Sequence, residues 1–120
     1  MTPLYIACEN GHTEVVRTLL EHKAIVTTSR ADRASALIVA VAHKRTEIVQ
    51  LMLDSGVNVN YRQLDGASAL YIAAENGFKD MVDLLAKYGA SVNQERKDQI
   101  TPLYIAAERN YADVADLLIQ

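Results

Sequence analysis

The chain has 120 residues, half of them apolar, and a net charge of −3, which is enough material for one domain with a core of its own. An acidic balance, with no run of Lys or Arg longer than two, leaves out the basic footprint that nucleic acid requires. The apolar runs fall far short of the roughly 20 residues that span a bilayer, and the N-terminus shows no basic-then-apolar leader. A soluble protein that is not exported is therefore expected, with neither nucleic acid nor membrane as its partner. Cys8 is the single cysteine; it permits no internal disulfide and fits a reducing compartment, cytoplasmic or nuclear.

The chain opens on Thr-Pro-Leu-Tyr-Ile-Ala at 2–7, and the same six letters return at 101–106. Displacing the sequence by 33 residues superposes Thr2, Ser35, Ser68 and Thr101, and then Leu4, Leu37, Leu70 and Leu103. Ala7, Ala40, Ala73 and Ala106 obey the same spacing. So do the apolar pairs Val15-Val16, Ile48-Val49, Met81-Val82 and Val114-Ala115. An internal repeat of this period marks a solenoid of small stacked units, here about 1–29, 30–62, 63–95 and 96–120 of a single domain.

In the first unit Asn10-Gly11 breaks two short apolar stretches, and Lys23 stands where glycine would end the second. The second unit has Ala36 in place of the proline, His43-Lys44 in place of Asn-Gly, and Arg33 where a turn glycine belongs. The first half, above all 24–45, is therefore expected to be the softer half. The third unit is the most regular. Asp65-Gly66 is a turn, Ser68 an N-cap, and Leu70, Ile72 and Ala73 mark a helix of about two turns ended by Asn76-Gly77. Met81, Val82, Leu84 and Leu85 then lie on one apolar stripe, Lys79, Asp80, Asp83 and Lys87 on the solvated side, and Gly89 supplies a left-handed stop. The fourth unit repeats the third, with Gln99 at its turn. Helices this short are marginal alone, so neighbouring units must supply the core.

The period, the Thr-Pro-Leu opening, the alanine pair, the Asn-Gly break and the closing Gly-Ala-x-Val-Asn together resemble the ankyrin repeat across essentially the whole chain. The resemblance implies an all-α solenoid of stacked helix-turn-helix units with β-hairpin fingers, and a concave face that binds a partner. It also matches Asn60 and Asn93 to positions hydroxylated in some members, although hairpin packing accounts for both. One departure is plain: the family's histidine after Thr-Pro-Leu is here Tyr5, Ile38, Tyr71 and Tyr104. Tyrosine in that place is expected to pack between units with its hydroxyl at the rim.

Catalytic chemistry finds no support in the spacing. Asp32, Asp65 and Asp98 recur every 33 residues, but stacked units stand about 10 Å apart, too far to share a proton or a metal. A solvated or partner-facing acidic row is the better reading. His12, His22 and His43 lack ligand spacing, Cys8 falls at a small apolar repeat position and is read as a packed thiol, and phosphate-binding glycine loops are absent. No catalytic residue, metal or cofactor is expected.

By resemblance, the concave face takes its side chains from the fingers and from the polar ends of the first helices. The finger residues are Asp32, Leu64, Asp65, Lys97, Asp98 and Ile100. Helix ends contribute Glu9, Asn10, His43, Glu75, Asn76, Glu108 and Arg109. Six carboxylates against Lys97 and Arg109 describe a mildly acidic surface that suits a protein partner with basic and apolar side chains. The expected function is thus a non-enzymatic protein–protein interaction module. Its alternatives are a targeting or regulatory arm of a larger enzyme or channel, and a structural spacer. Neither end shows a capping unit with a polar outer face, so a piece of a longer array is expected, monomeric, with end-to-end stacking as the other way to cover the exposed faces.

Overall fold

The first helix of each pair starts where a hydroxyl satisfies an orphan amide and stops where the backbone turns left-handed. The computed structural model describes residues 2–22 and 29–119, and these fall into two compact units, Met1–Asn58 and Val59–Gln120. The first holds α1 (Pro3–Asn10), α2 (Thr13–Glu21), α3 (Arg30–Ala42) and α4 (Thr46–Asp54). The second holds α5 (Ala69–Glu75), α6 (Lys79–Lys87), α7 (Pro102–Glu108) and α8 (Ala112–Ile119). In both units the helices pair as two hairpins, with first helix on first helix and second on second: α1 on α3 and α2 on α4, α5 on α7 and α6 on α8.

Four caps open the first helices. Thr2 accepts from the amide of Tyr5, Ser29 from Asp32, Ser68 from Tyr71 and Thr101 from Tyr104, all at 3.1–3.2 Å. Pro3 and Pro102 sit in the first turn, where a missing N–H costs nothing. Small residues line the contact between first helices: Ala36, Ala40, Ala69, Ala73 and Ala106 are all fully buried. Larger ones fill the space around the second helices, with Val16, Ile48, Val49 and Met52 in one unit and Met81, Val82, Leu85 and Val114 in the other.

The helix-ending breaks are one motif used four times. His12 donates to the carbonyl of Ala7, Arg45 to Ala40, Phe78 to Ala73 and Tyr111 to Ala106, at 2.8–3.0 Å. The residue before each donor is left-handed: Gly11, Lys44, Gly77 and Asn110, with φ between 56° and 74°. This is the Schellman arrangement, which satisfies the last carbonyls of a helix. His43-Lys44 therefore breaks the chain just as Asn-Gly does, without a glycine. Glycine at the two other breaks has a further use. A Cβ on Gly11 would stand 3.0 Å from the Arg45 guanidinium, and one on Gly77 2.9 Å from the Tyr111 ring, so the following hairpin rests its long side chain on the preceding hairpin's break.

The structure departs from the sequence reading in the second repeat. Instead of a finger followed by a helix from Ser35, α3 runs unbroken for 13 residues from the Ser29 cap. Arg33 and Asp32 are helical, so the place where a turn glycine was expected holds no left-handed turn. α3 is the longest helix among the described residues, with Ala34 and Ala36–Val41 buried; positions 24–28 of the stretch expected to be soft lie outside the described residues. Replacing Ser29 by alanine should therefore destabilise the fold by about 1 kcal/mol, the usual worth of an N-cap, and Ser35→Ala by well under that. Urea unfolding of the two variants reads the difference directly.

Where β-hairpin fingers were expected, the second unit has closed turns. Gln63 donates to Ala67 and Arg96 to Ile100, both at 2.9 Å, and a single isolated antiparallel bridge joins Arg62 and Ser68. No strand forms among the described residues. Gly66 and Gln99 take the left-handed position at φ 88° and 69°. Gln99, which stands at the turn of the fourth unit in place of glycine, thus carries a positive φ.

Candidate functional site

The predicted surface residues fall into separate groups. In the first unit, Glu9 and Asn10 end α1 and His43 caps the end of α3. Arg45 ties these ends together, its Nη2 donating to the Glu9 carbonyl at 3.0 Å. The Asn10 amide donates to the Ile6 carbonyl and the His43 ring lies 3.0 Å from the Val39 carbonyl, so both side chains finish their own helices. Asp32 stands at the opposite end of α3, in its first turn. There it complements the helix dipole and does not join the others in one patch.

The second unit does assemble its set. Its two finger turns are bonded backbone to backbone: Lys97 donates to the Asp65 carbonyl at 3.0 Å, and Arg62 spans the pair, donating from Nη2 to the Glu95 carbonyl at 2.6 Å and from Nε to the Gly66 carbonyl at 3.2 Å. Beside them Asn60 accepts from the Ser91 amide at 2.7 Å and donates to the Gly89 carbonyl at 3.3 Å, so this asparagine holds the approach to the second finger. Leu64 is 92% exposed at the first tip.

The recurrence of aspartate has a local cause. Asp65 Oδ1 accepts from the Ala67 amide at 2.9 Å, and Asp98 Oδ1 from the Ile100 amide at 3.2 Å. Each aspartate closes its own turn two residues on, as Asx turns do. The repeated acid is therefore part of the finger's architecture as well as its charge.

Tyr71 connects the fingers to the helix ends. Its ring is buried in the α5–α7 layer, and the Arg96 guanidinium lies over it, 4.9 Å from the ring centre, a cation–π distance. Burial pushes the Tyr71 phenol up, Arg96 and Arg109 pull it down, and Glu75 and Asp98 raise it further. Of these charges Arg96 is the one shown against the ring. All four are paired: Arg96 hydrogen-bonds Asp98, and Arg109 faces Glu75 at 3.7 Å. The bond from Arg96 holds the Asp98 carboxyl below its usual range, so both remain charged at neutral and mildly acidic pH.

Pairing changes the electrostatic reading. Among the described residues, Asp98 and Glu75 are neutralised by arginines, while Asp65 and Glu108 make no ion pair and stand exposed. Arg96 was not legible as a site residue, because what places it is a ring 25 positions away in sequence. The one signal was its position two residues before Asp98, across a turn. Tyr71 was read as packing, and it is that, but it is also the floor beneath the Arg96 guanidinium.

No group of three or more His, Cys, Asp or Glu side chains able to hold a metal occurs among the described residues, and none of their helices is long and apolar enough to cross a membrane. An open hollow of about 290 Å³ in the second unit is lined by Gly77, Lys79, Tyr111 and Asp113. Cys8 is fully buried, 3.5 Å from the Met52 sulfur, and burial pushes its thiol up to about 12. The thiolate is thus disfavoured in the fold. Cys8 should resist Ellman's reagent at pH 8 in the native protein and react promptly in denaturant. The stability that the buried thiol contributes is intact below the ordinary thiol range and is lost as pH rises from there towards 12.

Short antiparallel helices in stacked hairpins, with left-handed breaks and turn-shaped fingers at one period, define a helical-repeat protein. A family model described as ankyrin repeats (3 copies) matches residues 1–63 and 56–120. The chain belongs to the ankyrin-repeat family. No curated protein matches it. Ankyrin repeats are in general protein–protein interaction modules.

Proposed function

We propose that this protein is a non-enzymatic binding module, and that the second unit carries a contact surface made by its two fingers and the C-terminal ends of α5 and α7. The observation that carries this reading is the set of charged side chains gathered around Tyr71 beside two fingers fixed to each other through the backbone. Interfaces favour such places, where an aromatic floor, arginine and an exposed apolar side chain lie together. Leu64 and Ile100 offer apolar contact, and unpaired Asp65 and Glu108 favour basic side chains on the partner. Arg96 and Arg109 give the same surface two donors for acidic or carbonyl groups, so the partner is a protein of mixed polarity with basic residues opposite the two free carboxylates.

The test must respect the turns. Asp65→Asn and Asp98→Asn keep the Asx hydrogen bonds while removing charge, and Leu64→Ala, Glu75→Gln, Ile100→Ala and Glu108→Gln alter exposed or half-exposed side chains. The combined six-residue variant should keep its helix content and its urea midpoint within about 1 kcal/mol, yet lose at least tenfold in affinity for proteins captured by the intact chain. Unchanged capture by a folded variant would move the site elsewhere.

A further inference from the structure

The two turns of the second unit are closed in the same way. Gly66 donates to the Gln63 carbonyl at 2.8 Å and closes the first over residues 63–66; Gln99 donates to the Arg96 carbonyl at 2.9 Å and closes the second over 96–99. Lys97, second in its turn, then donates its amide to the carbonyl of Asp65, third in the turn before. Thirty-three positions earlier the same rule makes Leu64 the donor and Asp32 the acceptor. Asp32 instead lies in the first turn of α3, where a carbonyl is taken by the amide four residues on. The Leu64 amide accordingly has no hydrogen-bond partner among the described residues. Residues 62–65 are all exposed, and Leu64 is 92% exposed. This open donor follows from the second repeat, which has a helix where the third and fourth have turns.

We infer that a partner protein completes the row of turns: a main-chain carbonyl in a turn or extended segment of that protein accepts from the Leu64 amide, as the Asp65 carbonyl accepts from Lys97. The inference rests on the reading of these turns as a contact surface and names what binds there. A polypeptide is selected because the free group is a backbone donor at the edge of a line of backbone bonds already in use, and another backbone is what extends such an edge. Leu64 offers apolar contact to the side chain beside that carbonyl. Asp65, exposed and outside every ion pair among the described residues, suits Lys or Arg on the same segment. The edge is also ordered in advance, since the Arg62 guanidinium holds the Gly66 and Glu95 carbonyls, so little freedom is lost when it is covered.

The probe is a disulfide-closed peptide that copies residues 62–68 between two cysteines, with asparagine for its aspartate to keep the turn and remove a like charge. It is titrated to millimolar concentration into the isotope-labelled 120-residue chain and followed by NMR. In the free chain the Leu64 amide should exchange as an open peptide does, while the Lys97 amide is protected. With the peptide, the Leu64 signal should move downfield and its exchange should slow at least tenfold. Leu64→Pro and Leu64→Ala separate the amide from the side chain: both remove the leucine, but only proline removes the N–H. Proline is favoured at the second position of such a turn, and Leu64 is not left-handed, so both variants should keep their helix content. Leu64→Pro should bind the peptide at least tenfold more weakly than Leu64→Ala. Equal affinity of the two variants overturns the inference, and so does a Leu64 amide that is already protected in the free chain or that the peptide leaves unmoved. Protein capture separates this result from the broader reading. A partner lost by the six-residue variant but kept by Leu64→Pro leaves the contact surface standing and removes the Leu64 bond; a partner kept by the six-residue variant removes the surface and the bond with it.

Discussion

Leu70→Ala should cost about 2–5 kcal/mol in urea unfolding, while Leu103→Ala, the same letter one repeat later, should cost under about 2 kcal/mol in dilute solution. Both leucines occupy the second helical position of their first helix, two residues beyond the N-cap. They differ in what lies on them. Leu70 is enclosed between α5, α6 and the hairpin that follows, so truncation leaves a cavity that the surrounding helices fill only in part. Leu103 has no following hairpin among the described residues, and water occupies part of the vacated space without penalty. Equal losses would mean that Leu103 is enclosed in solution as Leu70 is, against its 37% exposure here.

The second large effect is at the finger. Gly66→Ala should destabilise the second unit by about 3 kcal/mol, combining left-handed backbone strain with overpacking. The added Cβ would lie 2.7 Å from the Lys97 amide nitrogen and 3.1 Å from the Arg96 carbonyl carbon, which are backbone atoms that cannot rotate aside. Gly89→Ala is the control. Its φ of 87° is nearly the same, but nothing lies within 4 Å, so only the strain of about 1 kcal/mol remains. Because the clash falls on the bond that joins the two fingers, Gly66→Ala should also weaken partner capture, and Gly89→Ala should leave it intact.

Much of this architecture could be read from the letters. The 33-residue period, the caps at Thr2, Ser68 and Thr101, the breaks at Gly11 and Gly77 and the burial of the alanine positions all follow from local rules applied in register. The second repeat could not be read in the same way. Between Ser29 and His43 there is neither glycine nor proline to stop a helix, and alanine at 31, 34 and 36 favours one; the aligned Ser35 drew attention from the earlier cap at Ser29. Asp32 was thereby assigned to a finger and is found in a first turn. At Lys44 the opposite holds: the sequence lacks the expected glycine, yet the Arg45 to Ala40 hydrogen bond imposes the same left-handed break. Tertiary packing also decides the site, since the Arg96 guanidinium reaches Tyr71 only through the stacking of α7 on α5. Asp65 was legible as part of a turn and both aspartates as charges, whereas the closure of each turn by a carboxylate oxygen shows only in the fold.

The bond between the fingers has a consequence for how this surface can change over generations. It runs from the Lys97 amide to the Asp65 carbonyl, groups that every residue but proline supplies in the same way. Exchange of the Leu64 and Lys97 side chains therefore leaves the spacing of the tips untouched, and Gly66 is the letter on which that spacing depends. Recognition can drift at the tips while the frame beneath them stands still. A partner also meets loops whose order was established when the chain folded, so little freedom is lost on contact, and new specificities can be sampled one tip at a time.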